Sequence, residues 1–258
     1  MPLLINRRAM IGFVAASFLC VAAGPAHALD VGPKDLPLTV AGVPVQIPVA
    51  GSIDVRGDGD AITLEATASG DLHAIQDHAL AIARGLRLPR DPCAHKNVNV
   101  IIKSLDAASI TPRGDSAIVD LSGHVGVWLC GKVLGQTVKT ELASDSLDIS
   151  VPIELYVRDP QTIGLRLSGP ATLKTGDPAT ADAVKPFAND LNELLTAQLA
   201  RLLETSRARA GAPSMPGVTV TIEDAAFAQD GTKLSVRAHG RATMNSTAFA
   251  SFLGFFGQ

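Results

Sequence analysis

The sequence predicts an α+β fold of two repeated strand-strand-helix-strand-strand units, with long amphipathic helices packed on twisted antiparallel sheets. Three observations predict it. Apolar residues alternate with polar ones in paired runs separated by turn residues, as in Ile62-Thr63-Leu64-Glu65-Ala66. Between the pairs the apolar period lengthens to that of a helix. The same order of elements then occurs twice along the chain.

The first unit, within 29–140, opens with strands Val45 to Val55 and Ala61 to Ala68 around the turn Gly57-Asp58-Gly59-Asp60. A helix is expected from Asp71 to Leu88, where Leu72, Ile75, Ala79, Ile82, Ala83 and Leu86 recur at helical spacing, with Asp71 as cap and Gly85 and Pro89 near the end. Strands Val98 to Ile110 and Ile118 to Leu129 follow, joined at Thr111-Pro112-Arg113-Gly114. The second unit, 141–245, repeats the order: a hairpin Ile149 to Val157 and Ile163 to Leu173, a long helix, then strands Val218 to Phe227 and Leu234 to Met244 turning at Asp230-Gly231. Its helix carries one stripe of Val184, Phe187, Ala188, Leu191, Leu194, Leu195, Leu199, Leu202 and Leu203. From Pro186 to Arg207 it would run about 33 Å at 1.5 Å per residue.

Residues 1–28 have the parts of a secretory signal peptide: Arg7 and Arg8, an apolar run from Met10 to Ala23, and Ala26-His27-Ala28 as the cleavage site. The apolar run is shorter than the roughly 20 residues that span a bilayer. Asn6-Arg7-Arg8 also fits twin-arginine export as well as the general route. Cleavage after Ala28 makes the mature chain periplasmic or secreted in a bacterial envelope, with 20 basic against 25 acidic residues and no transmembrane segment. Two cysteines then remain, and in an oxidising compartment Cys93 and Cys130 are expected to form a disulfide.

The whole chain has 258 residues, 47% apolar, 18% charged and 4% aromatic, with a net charge of −3. Its mean hydropathy is +0.25. That balance excludes a disordered chain and gives no basic footprint for nucleic acid. Asp54, Asp58, Gly59, Asp60 and Glu65 fall at EF-hand-like spacings, but Arg56 takes a ligand position and the flanks alternate like strands. His73 and His78 are five apart, where a zinc pair on one helix face needs four. His95 lies close to Cys93, His124 and His239 are isolated on the later strands, and no nucleophile, Walker loop or dinucleotide fingerprint accompanies them. No catalytic residue, metal ligand or cofactor is therefore expected, and the chain reads as a non-enzyme. The tail 246–258 concentrates Phe249, Phe252, Phe255 and Phe256 in a segment with no charged side chain.

Two such units on an exported, aliphatic-rich chain resemble the tubular lipid-binding (TULIP) superfamily, which includes the bactericidal permeability-increasing proteins. The resemblance covers approximately Val45 to Met244 and rests on element order, without a signature motif. It implies an apolar tunnel between helix and sheet that holds acyl chains or other lipids, although this chain is shorter than typical two-module members. The expected function is binding of a lipid or other hydrophobic ligand in the cell envelope. The alternative is an envelope structural or protein-interaction module with no small ligand. For a cavity, the lining residues read from the helix stripe and tail are Phe187, Leu191, Leu195, Leu199, Phe249, Phe252 and Phe256.

Overall fold

The computed structural model describes residues 29–58, 61–86, 91, 93, 100–134, 136–178, 180–182, 184, 191–197 and 218–249. Among them strands take 73% and helices 15%. The fold is mostly β, and the α+β expectation with long amphipathic helices is overturned. Where a helix was expected from Asp71 to Leu88 there are two short ones, α1 (His73–Asp77) and α2 (Ala79–Arg84). His78 between them leaves helical geometry, at φ −100° and ψ 12°, and Gly85 ends α2. Asp71 does accept a hydrogen bond from the His73 N–H at 2.8 Å, satisfying one of the helix's free donors. Of the second helix, residues 191–197 are helical, and the stripe from Phe187 to Ala188 and beyond Ala197 lies outside the described residues.

Among the described residues ten strands form two antiparallel sheets. The strands are β1 (Leu29–Val40), β2 (Val43–Asp58), β3 (Ala61–Asp71), β4 (Val100–Arg113), β5 (Ser116–Val133), β6 (Gln136–Asp159), β7 (Thr162–Leu167), β8 (Thr172–Thr175), β9 (Val218–Asp230) and β10 (Lys233–Asn245). Sheet I has the order β1-β2-β3-β10-β9, and sheet II the order β4-β5-β6-β7, with β8 also paired to β6. Each sheet thus takes hairpins from both halves of the chain, and β6 runs across the 140/141 boundary between the two expected units. The tight turns follow from local chemistry: Gly114 and Gly231 sit at φ +66° and +61°, a region open to glycine at no steric cost.

Both sheets have one apolar and one polar face. On sheet II the inner face carries Ala117, Leu121, Val125 and Val127 of β5 beside Leu147, Ile149, Val151 and Ile153 of β6, all buried. They form one core with Leu72 and Ala83 from the first helical segment, Val184, Leu191 and Leu195 from the second, and Ile47, Phe227 and Leu234 from sheet I. Burying a large aliphatic side chain of this kind contributes about 1.5–3 kcal/mol, so the core is the main source of stability.

Polar bridges fix the junction of the two sheets. The Gln76 amide on α1 donates to the Ile110 carbonyl at 2.8 Å and to the Thr232 carbonyl at 3.1 Å, and its oxygen accepts the Leu234 N–H at 2.9 Å. The Arg84 guanidinium donates twice to the Leu105 carbonyl, at 2.9 and 2.8 Å. On the far side, the Ile222 N–H of β9 donates to the Pro160 carbonyl in the β6–β7 turn at 2.6 Å. Helix α1 therefore sits between the turn of β9–β10 and strand β4.

The expected Cys93–Cys130 disulfide is present, with Cα atoms 5.8 Å apart. Closing a loop of 37 residues is worth about 4 kcal/mol in the chain-entropy account. The bond is compatible with an oxidising compartment.

Candidate functional site

The register of sheet I places its inner-face residues in rows across β9, β10, β3 and β2. The first row is Phe227, Val236, Gly70 and Val49; the next is Ala225, Ala238, Ala68 and Gly51. Then come Ile222, Gly240, Ala66 and Ile53, followed by Val220, Ala242, Leu64 and Val55. Each row is apolar throughout. Among the described residues, the core takes Phe227, Val236 and Val49 from the first row, and Ile53, Val55, Val220 and Ile222 stand outside it.

The shape of the remaining surface follows from which residue types fall on which strand. The two central strands supply small side chains, Ala66 and Ala68 from β3 and Ala238, Gly240 and Ala242 from β10. The two flanking strands supply β-branched ones, Ile53 and Val55 from β2 and Val220 and Ile222 from β9. The result is a shallow apolar trough along β3 and β10, floored by alanine and glycine, walled by valine and isoleucine, and closed at one end by the buried Leu64 and Met244. Seven residues of strand, Ala238 to Met244, span six steps and give it a length of about 20 Å. Its walls are half-buried and Ala68 on its floor is exposed, while Ala225 of β9, in the same row, is buried.

The opposite face of sheet I is a polar ladder. Arg56 pairs with Glu65 at 3.1 Å, Arg241 with Glu65 at 3.7 Å and with Glu223 at 3.3 Å, and His239 with Glu223 at 3.0 Å. These exposed pairs are worth little individually, but they fix which face of the sheet meets water. Two of the EF-hand-like acids are part of this face: Asp54 lies directly opposite Glu65, and Glu65 is held by two arginines, while Gly59 and Asp60 lie outside the described residues.

Other titratable groups are tied into local structure. His73 approaches Asp77 at 3.5 Å along α1. His124 Nδ1 lies 2.9 Å from Asp106 Oδ2 and 3.4 Å from Ser104 Oγ. Both contacts use the same ring nitrogen, so the imidazole cannot take a proton from the serine while the aspartate orients its other side. Among the described residues no group of three His, Cys, Asp or Glu side chains could hold a metal ion. Hydrogen bonding holds three carboxyls below the usual range. The Asp177 N–H, followed by Ser146, does so for Asp145. Lys139 and the Cys93 N–H act on Asp91, and the Gln161 N–H and Thr162 on Asp159.

Of the lining residues expected from sequence, Leu191 and Leu195 are buried in the shared core, 1% and 7% exposed. Phe249 is half-buried in the short helical stretch 246–249 after β10. Phe187, Leu199, Phe252 and Phe256 lie outside the described residues. Sequence reasoning missed the trough. Its signal was the run of alternate small residues Ala66, Ala68 and Gly70 in one strand and Ala238, Gly240 and Ala242 in another, which becomes a surface only when the two strands pair.

Among the described residues no helix is long and apolar enough to cross a membrane. No protein family, curated protein or solved structure matches this chain.

Proposed function

We propose that this chain is an exported envelope protein, released after Ala28 into the periplasm or medium, that binds a lipid or other hydrophobic ligand on sheet I. One observation carries the reading: among the described residues the rows along β3 and β10 are apolar throughout, and Ala66, Ala68, Ala238 and Ala242 on them are not buried in the core. Small-molecule sites are concave and mostly apolar, and the trough has the length of an extended acyl chain. The absence of charged groups on its floor suits the hydrocarbon part of a ligand and offers nothing to a polar one. The reading keeps the ligand class that the resemblance to tubular lipid-binding proteins implies, and moves the ligand from a long helix to a sheet face.

The test is native mass spectrometry of the oxidised, exported protein, followed by organic extraction. A discrete, extractable adduct that is absent from Ala68→Phe, whose ring would fill the exposed floor, is the expected result. Bare polypeptide mass, unchanged after incubation with envelope lipids, would sink the reading and favour a protein-interaction module.

A further inference from the structure

Among the described residues, strands β5 and β6 run on beyond the rest of sheet II as a two-stranded arm. The last β4 partner of β5 is Val127, while β5 and β6 stay paired out to Val133 and Gln136. Residues 136–142 are exposed on both faces. The arm nevertheless carries apolar side chains in water: Leu129 is 55% exposed, Val138 45%, Leu142 61%, and Leu134, at the apex, 100%. Leu134 is also in the left-handed region, at φ +50°, where glycine or asparagine is favoured over leucine. A side chain that is unfavourable for its backbone and for its exposure is unexplained by folding alone.

The arm is held rigid from one side. Cys130 is bonded to Cys93, and Lys139 Nζ lies 2.7 Å from Asp91 Oδ1, so a single short segment is pinned to the arm twice. Residues 129–140 include no acid, and with Lys139 taken up by Asp91 their remaining basic side chain is Lys132, on a chain whose net charge is −3. The apolar apex and Lys132 beside it complement a lipid surface with anionic headgroups, where leucine enters the interface and lysine stays at headgroup level.

From this we infer that the β5–β6 arm is a membrane-docking element whose apex, Leu134, inserts into an anionic lipid surface. The inference goes beyond the ligand reading and does not rest on it, since the trough lies on the other sheet.

Sedimentation of the oxidised protein with vesicles of phosphatidylglycerol and phosphatidylethanolamine, and separately with phosphatidylcholine alone, tests it. Binding to the anionic vesicles that falls with added salt is expected, with little binding to phosphatidylcholine. Leu134→Asn should lower the partition coefficient roughly tenfold or more, by removing the inserting side chain. Because asparagine suits the left-handed turn, the same variant should melt no lower than wild type, which separates lost docking from lost folding. Wild-type protein left in the supernatant, or Leu134→Asn binding as well as wild type, would overturn the inference. Self-association of the wild type that Leu134→Asn abolishes, without vesicle binding, would overturn it in favour of a second copy of this chain as the occupant.

Discussion

Sheets I and II are made the same way and finished differently. Each alternates apolar and polar residues across its strands, and each turns a polar ladder to water. Sheet II spends its apolar face on the core, with Leu147, Ile149 and Val151 all at 2–3% exposure. Sheet I gives the core its first row; beyond it Ala225, Leu64 and Met244 are buried, while Ala68 is exposed and Ile53, Val55, Val220 and Ile222 are half-buried and outside the shared core. The residue types differ accordingly: bulky aliphatics fill the centre of sheet II, whereas alanine and glycine occupy the centre of sheet I. Large side chains at facing positions interlock into a core, while a small-residue floor between β-branched walls leaves room for something else. Stability therefore resides in sheet II and its staple, and the proposed binding falls to sheet I.

That division predicts a graded set of outcomes. Reducing the Cys93–Cys130 bond should cost up to about 4 kcal/mol, read as a lower urea midpoint under reducing conditions. Ile149→Ala in sheet II should cost about 3 kcal/mol, as expected for a fully buried aliphatic side chain. The equivalent change in sheet I, Ile53→Ala, should cost about 1 kcal/mol, because a half-buried side chain loses less transfer energy. Equal losses at the two isoleucines would erase the distinction between the sheets. Ala68→Phe sits at the bottom of the scale for stability, with a change within about 0.5 kcal/mol, while abolishing ligand uptake.

The last effect concerns acid. The Asp145 carboxyl, at the edge of sheet II, accepts the Asp177 N–H at 2.6 Å and the Ser146 N–H at 2.7 Å, and its pKa is lowered. A group lowered in the folded state stabilises it above its unfolded pKa, about 3.9, and loses that contribution as pH falls through the folded value. The gap in stability between wild type and Asp145→Asn should thus be constant above about pH 5 and close below about pH 4. Denaturant melts of both proteins from pH 2 to 7 check this, and a gap that widens towards acid would refute it.

Much of the sheet structure was legible. The turns at Gly114 and Gly231 announce themselves because those positions need positive φ, and the flanking alternation fixes which face is buried. Strand β1 was not legible. Pro33 and Pro37 break its pattern, as suits an edge strand that must not recruit another chain. The outer half of β6 was missed for a different reason: Thr137 to Leu142 has water on both faces and so no alternation to read. The helices were overestimated because apolar residues three and four apart also occur where a chain is stitched between two sheets, as at His78. The trough required the pairing of β3 with β10, strands separated by more than half the chain, and no local pattern encodes that partnership.

The most direct test of a sheet I ligand site is methyl NMR of the oxidised protein with labelled isoleucines during titration with a long-chain fatty acid. The account predicts shifts at Ile53 and Ile222, which wall the trough, with Ile149 and Ile153 in the core unmoved. Shifts confined to Ile149 and Ile153, or no shifts at all, would contradict it.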